Sequence, residues 1–153
     1  MSNQSFCPIL SLFTGGNHRM TKQFINPKEL FVPPGFTQVV TAQGGKMIFI
    51  SGQVAFNEKM ELVGKGDLRQ QTTKVFENLQ AALAAAGAGF KDLIKLNYYV
   101  VGLNTEALVI LREIRNTYLS PENPPASTLI GVAMLVNKDL LLELEAVAVI
   151  EAD

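Results

Sequence analysis

The chain has 153 residues and a mass of 16.7 kDa, which fits one ordinary domain and leaves no room for a second of typical size. Its residues are 48% hydrophobic and 18% charged, enough apolar surface to build a core, so wholesale disorder is excluded. Thirteen Lys and Arg against fourteen Asp and Glu give a formal charge of −1, without the basic surplus of a dedicated nucleic-acid binder.

Residues 1–19 differ in character from the rest of the chain. The stretch from Phe6 to Phe13 is apolar but short, carries Pro8, has no basic residue before it and no small-x-small cleavage site after it, so it does not read as a secretory signal. Thr14-Gly15-Gly16-Asn17 is a turn-rich spacer, and Met20 reads as a natural start. Residues 1–19 are therefore expected to be a start-site extension or a poorly ordered tail, with a single domain over residues 20–153.

Pro33-Pro34-Gly35 punctuates the chain before a first strand at about residues 37–41. Gly44-Gly45 suggests a hairpin turn into a second strand over residues 46–51, and a short extended piece falls around Leu62-Val63. Asp67 is placed to cap a helix from Leu68 to about Ala86, because its carboxylate can accept from the free amides of the first turn. Leu68, Thr72, Val75, Phe76, Leu79, Leu83 and Ala86 form its apolar stripe, and Gly87 ends it. Ile94, Leu96, Tyr98 and Val100 alternate with Lys95, Asn97 and Tyr99 as a strand with one polar-leaning face.

Asn104 or Thr105 caps a second helix to about Leu119, with Leu108, Leu111, Ile114 and Tyr118 on its apolar side. Pro121, Pro124 and Pro125 stop that helix. Two further strands lie over about 127–135 and 140–150, joined by the turn Asn137-Lys138-Asp139. The predicted order is β-β-β-α-β-α-β-β, an α+β domain with two helices on one sheet face. The last strand is apolar on both sides: Leu142, Leu144, Ala146 and Ala148 point one way, and Leu141, Val147 and Val149 the other. Two helices cover only one face. At about 25 cal/mol per Å² a wet second face would forfeit several kcal/mol, so self-association is expected.

A single cysteine, Cys7, and a single histidine, His18, leave no intramolecular disulfide, cysteine zinc cluster, His-pair nuclease or multi-histidine metal site. No apolar run approaches the roughly 18 residues needed to cross a bilayer. The expectation is a cytoplasmic domain whose chemistry uses carboxylates, arginines, hydroxyls and backbone groups. Glu143 and Glu145, two apart on the last strand, share a face; they read either as rim carboxylates or as a pair of which one holds a water and acts as a base. Arg112 and Arg115, on the second helix, read either as a solvated face or as a clamp for a carboxylate. Ser51-Gly52-Gln53 at a strand end could present backbone groups to a ligand or form a bulge. Ser127 and Thr128 have no histidine to activate them.

Ile50-Ser51-Gly52-Gln53, Asn78-Leu79 on a helix ending Ala84-Ala85-Ala86-Gly87, Pro125-Ala126 with Gly131-Val132-Ala133, and Glu143-Leu144-Glu145-Ala146-Val147-Ala148 together resemble the RidA family, also called YjgF. The resemblance runs from about Met20 to Ile150. It implies a chorismate-mutase-like fold, with a mixed six-stranded sheet and two helices on one face, assembled as a homotrimer with ligand clefts between subunits. It also implies hydrolysis of reactive 2-imino acids to 2-keto acids and ammonia without a cofactor or metal, on a small anionic metabolite; the charge of −1 speaks against a nucleic-acid partner, and the lack of a long apolar run against a membrane.

Carried over by position, the water-activating glutamate is Glu143, the strand-end pair is Ser51 and Gly52, and the aromatic wall is Phe36. Where the deaminase branch reads Pro-Ala-Arg-Ser, this chain reads Pro125-Ala126-Ser127-Thr128, so Ser127 replaces the substrate-clamping arginine. The next lining position is Leu129, and Arg112 replaces an asparagine. The resemblance therefore leaves two outcomes: Arg112, or secondarily Arg115, restores the cation from a neighbouring subunit, or the clefts bind small carboxylates without turnover. Endoribonuclease or translation-inhibitor activity, an older label within the family, is the weakest alternative given the charge of −1.

Overall fold

A computed structural model describes residues 19–152 of the protein, so the expectation for the N-terminal segment lies, but for Arg19, outside the described residues. In chain order the elements are β1 (Thr21–Ile25), β2 (Val39–Gln43), β3 (Lys46–Val54), α1 (Leu68–Ala85), a 3-10 turn (Phe90–Asp92), β4 (Leu93–Val101), α2 (Thr105–Tyr118), β5 (Ala126–Val132) and β6 (Leu142–Ile150). The string of strands and helices is the expected one, but the first three strands are not the expected three. Residues 21–25 form a strand, whereas the Leu62 segment contributes only an isolated bridge to Phe56.

Four strands form a mixed sheet in the order β3-β6-β4-β5, antiparallel except for the β4–β5 pair. β1 and β2 make a separate antiparallel ribbon, so hydrogen bonding divides the six strands into two sheets. The ribbon is tied to the edge of β5 by a parallel bridge between Thr37 and Ala126, and the Thr37 hydroxyl donates to the Pro124 carbonyl at 2.6 Å. The Gly44-Gly45 turn does not close a hairpin, because β2 pairs with β1 and β3 pairs with β6. β6 offers β3 a partner of equal length, and Ile48 and Ile50 are buried opposite Ala148 and Ala146. The five residues of β2 offer no such apolar match. Both glycines hold positive φ, 73° and 81°, and so redirect the chain from one sheet to the other.

Asp67 and Asn104 start the helices as expected: Asp67 Oδ1 accepts from the Gln70 amide at 3.0 Å and Asn104 Oδ1 from the Ala107 amide at 2.9 Å. Phe76, Leu79 and Leu83 of α1 and Leu111 and Ile114 of α2 pack with Leu96, Val100, Leu142, Leu144 and Ala148 into one core on a single face of the sheet. The opposite face carries exposed apolar side chains, with Met47 at 55% and Phe49 at 75% of full exposure. No helix among the described residues is long and apolar enough to cross a membrane.

Candidate functional site

The helix-covered side of the sheet holds a cavity of about 410 Å³ between α2, the edge strand β5 and the Phe31–Phe36 segment. Strand register explains what reaches it. Ser127 and Leu129 lie beside Leu96 and Tyr98 in the parallel pair, so their side chains share the helix-facing side. Arg112 and Arg115 come from α2, three residues apart and therefore on neighbouring positions of one helical face. Phe36 enters from the loop before β2. The cavity thus gathers Phe36, Arg112, Arg115, Ser127 and Leu129, all singled out from the sequence.

The cations are not consumed by the fold. None of the ion pairs among the described residues engages Arg112 or Arg115, while Glu113 between them pairs with Arg69. Arg115 donates through Nη2 and Nε to Asn116 Oδ1 at 2.8 and 3.2 Å. Its guanidinium lies against Gly35, where a Cβ would collide with it. Sequence reading missed Tyr98, Phe31, Leu108 and Leu111, which also line the cavity. Tyr98 is 4% exposed, and its hydroxyl has no hydrogen-bond partner among the described residues. Burial pushes its phenol well above the ordinary value, opposed in part by the Arg115 charge. The signal was present as a polar tip inside an otherwise apolar alternation, which reads as core until the hydroxyl is followed.

The second group of residues lies on the other face. The pairing of β3 with β6 shifts register between Ile50 and Gln53, and Ser51 and Gly52 occupy this irregularity. Gly52 lies directly against the Glu143 carboxylate, and a Cβ there would collide with it. Only glycine lets the two chains approach so closely. Glu143 and Glu145 do share a face, but their environments differ. Glu145 Oε1 accepts from Asn97 Nδ2 at 2.7 Å and from the Tyr99 hydroxyl at 2.8 Å, and these bonds, Asn97 first, hold its pKa below the ordinary value. No side chain among the described residues donates to Glu143, which is half-buried. Ser51 and Glu145 also line a shallower cavity of about 290 Å³ on this face.

The predicted residues therefore fall into two sets separated by the sheet: a cationic cavity on the helix side, and Ser51, Gly52 and Glu143 on the open side. Within one chain Arg112 and Glu143 do not meet.

Comparison with known proteins agrees with this architecture. The family described as Endoribonuclease L-PSP matches residues 31–150. A RutC family protein of Pyrococcus abyssi is 34% identical over 130 residues, covering 84% of this chain and 98% of the relative. The 2-iminobutanoate/2-iminopropanoate deaminase of Salmonella typhimurium is 33% identical over 107 residues, 69% of this chain and 80% of that protein. The crystal structure of the Rid-family protein YyfB from Yersinia pestis superposes with a TM-score of 0.79 at 36% identity, covering 84% of this chain and 98% of that one. The fold, the order of its motifs and these matches establish that the chain belongs to the RidA/YjgF family.

Proposed function

We propose that copies of this chain assemble as a homotrimer in which the carboxylate face of one protomer meets the cationic cavity of the next, and that the shared cleft hydrolyses small 2-imino acids. The observation that carries this reading is the division of the site into two halves, each incomplete alone: guanidinium groups with no carboxylate partner among the described residues on one side of the sheet, a carboxylate with no donor among them on the other. The exposed apolar side chains Met47 and Phe49, on the same sheet face as Glu143, give the two faces a reason to come together.

In the assembled cleft Arg112, supported by Arg115, grips the substrate carboxylate in place of the side chain missing at Ser127. Glu143 holds a water beside the imine carbon and takes its proton as the new C–O bond forms. Glu143 then gives that proton to the imine nitrogen, which completes a carbinolamine; the carbinolamine's hydroxyl proton passes through Glu143 to the nitrogen as the C–N bond breaks, and ammonia leaves a 2-oxo acid. Water is the only co-reactant, and no cofactor enters the step. The deaminase name of the Salmonella relative supports this chemistry. The charge of −1 argues against RNA as substrate and fits a small anionic metabolite handled in the cytoplasm.

The test is ammonia release from a 2-imino acid generated in situ by an amino-acid oxidase, measured against the uncatalysed rate. The chain is expected to accelerate release, and loss of a charge-assisted contact in Arg112→Ala is expected to slow it by about 10–100-fold. Glu143→Gln is expected to slow it by about 100-fold or more. No acceleration, with 2-oxo acids still bound at micromolar concentration, would replace the enzyme with a non-catalytic carboxylate-binding trimer.

A further inference from the structure

The fold holds the two arginines of the cavity differently. Arg112 is exposed, and no hydrogen bond or ion pair among the described residues fixes its guanidinium. Arg115, one turn along the same helix, is half-buried and held at two points. Asn116 Oδ1 accepts from Nε at 3.2 Å and from Nη2 at 2.8 Å. Gly35 lies so close to the group that a Cβ there would stand 2.8 Å from both Cζ and Nη1. Only a residue without a side chain leaves the guanidinium that place.

Neither contact neutralises the charge. Asn116 offers an uncharged carbonyl, and Gly35 offers close packing. A guanidinium carries five N–H donors. Asn116 takes two, and the other three make no hydrogen bond among the described residues. The group is therefore fixed in place while most of its donors stay available to an anion. Gly35 also directly precedes Phe36, which lines the same cavity, so this contact sets the aromatic wall and the cation relative to each other. Binding to a long, mobile side chain loses affinity to the ordering of its rotamers, and a side chain already ordered avoids that loss.

We propose that Asn116 and Gly35 are positioning residues that preset Arg115 as the fixed arm of the carboxylate clamp, Arg112 being the adjustable arm. This inference rests on the carboxylate-binding reading above and divides the work of that site between its two cations.

Calorimetric titration of the full chain with 2-oxobutanoate tests it, as a double-mutant cycle through Arg115, with the melting temperature of each variant as the check on folding. Asn116 is exposed, so its replacement does not put the fold at stake. Asn116→Ala is expected to weaken binding about two- to tenfold, the cost of ordering one long side chain. Gly35→Ala, whose Cβ takes the place of the guanidinium, is expected to weaken it about tenfold or more. Arg115→Ala is expected to weaken it by about 10–100-fold. Arg115→Lys, which keeps the charge and loses the fork to Asn116, is expected to weaken it about tenfold. In the Arg115→Ala background, neither Asn116→Ala nor Gly35→Ala is expected to weaken binding further. In imine hydrolysis, Asn116→Ala is expected to raise KM and to leave kcat within about twofold. Losses at positions 116 and 35 that persist in the Arg115→Ala background give those residues a merely structural role and overturn the inference. An Arg115→Ala protein that binds as tightly as the wild type also overturns it, and leaves the carboxylate site to Arg112. Failure of the wild type to bind overturns the underlying site as well.

Discussion

The side-chain amide of Gln71 is fully buried and fully used: Nε2 donates to the carbonyls of Gly64 and Asp139 at 3.2 and 2.8 Å, and Oε1 accepts from the Leu141 amide at 2.8 Å. It ties α1 to both the loop before it and the chain entering β6. Gln71→Leu leaves those backbone groups without partners and is expected to cost about 2–3 kcal/mol, read from the urea midpoint. Gly52 is constrained differently, by proximity. Gly52→Ala is expected to push the Glu143 carboxylate aside by about an ångström and to slow imine hydrolysis by about 100-fold, measured as ammonia release.

Glu145 supplies a pH signature. Its native pKa lies below the ordinary 4.5, so its bonds to Asn97 and Tyr99 stabilise the fold fully above that value and are lost as pH falls through the lowered one. Replacing Asn97 by Ala together with Tyr99 by Phe is expected to raise the Glu145 pKa toward 4.5, seen by carboxyl NMR titration, and to flatten the acid limb of the stability curve.

At the scale of elements, α2 matters most because it carries both arginines of the cavity. Asn104→Ala removes its N-terminal cap and is expected to cost about 1 kcal/mol by chemical denaturation, with fraying confined to the first turn. Both helices were legible in the sequence because cap, stripe and stop agree: Asp67 with the Leu68-to-Leu83 stripe and Gly87, and Asn104 with Leu108, Leu111 and Ile114. The strands were legible where alternation is strong, as in β4 and β6. β1 was not, since Thr21 to Ile25 shows a half-buried pattern too weak to separate from a tail. The partner of β3 was not legible either, because a Gly-Gly turn states local geometry while pairing is decided by a strand almost a hundred residues away. Within the site, the residues of the cationic cavity could be named from motif positions. Tyr98 was not, because a tyrosine within an apolar alternation reads as core, and whether its hydroxyl finds a partner is decided by packing.

At the scale of the molecule, the open sheet face is the surface through which the proposed trimer forms. Phe49 lies on this face, on the edge strand β3, and is 75% exposed in the single chain. Phe49→Glu places a charge where the proposed trimer needs an apolar contact and is expected to give monomers, measured by light scattering, with imine hydrolysis lost in parallel. The fold of each chain should survive, because Phe49 lies outside the core packed beneath the helices.

β4 stands between the two halves of the site. Tyr98 turns toward the helix-side cavity, and its neighbour Tyr99 turns the opposite way to bond Glu145. A strand whose successive residues face the proposed ligand chamber and the proposed association surface would work as a party wall between them. Filling the chamber and joining the protomers should therefore reinforce each other, so that dilution which disperses the empty protein leaves the loaded one intact.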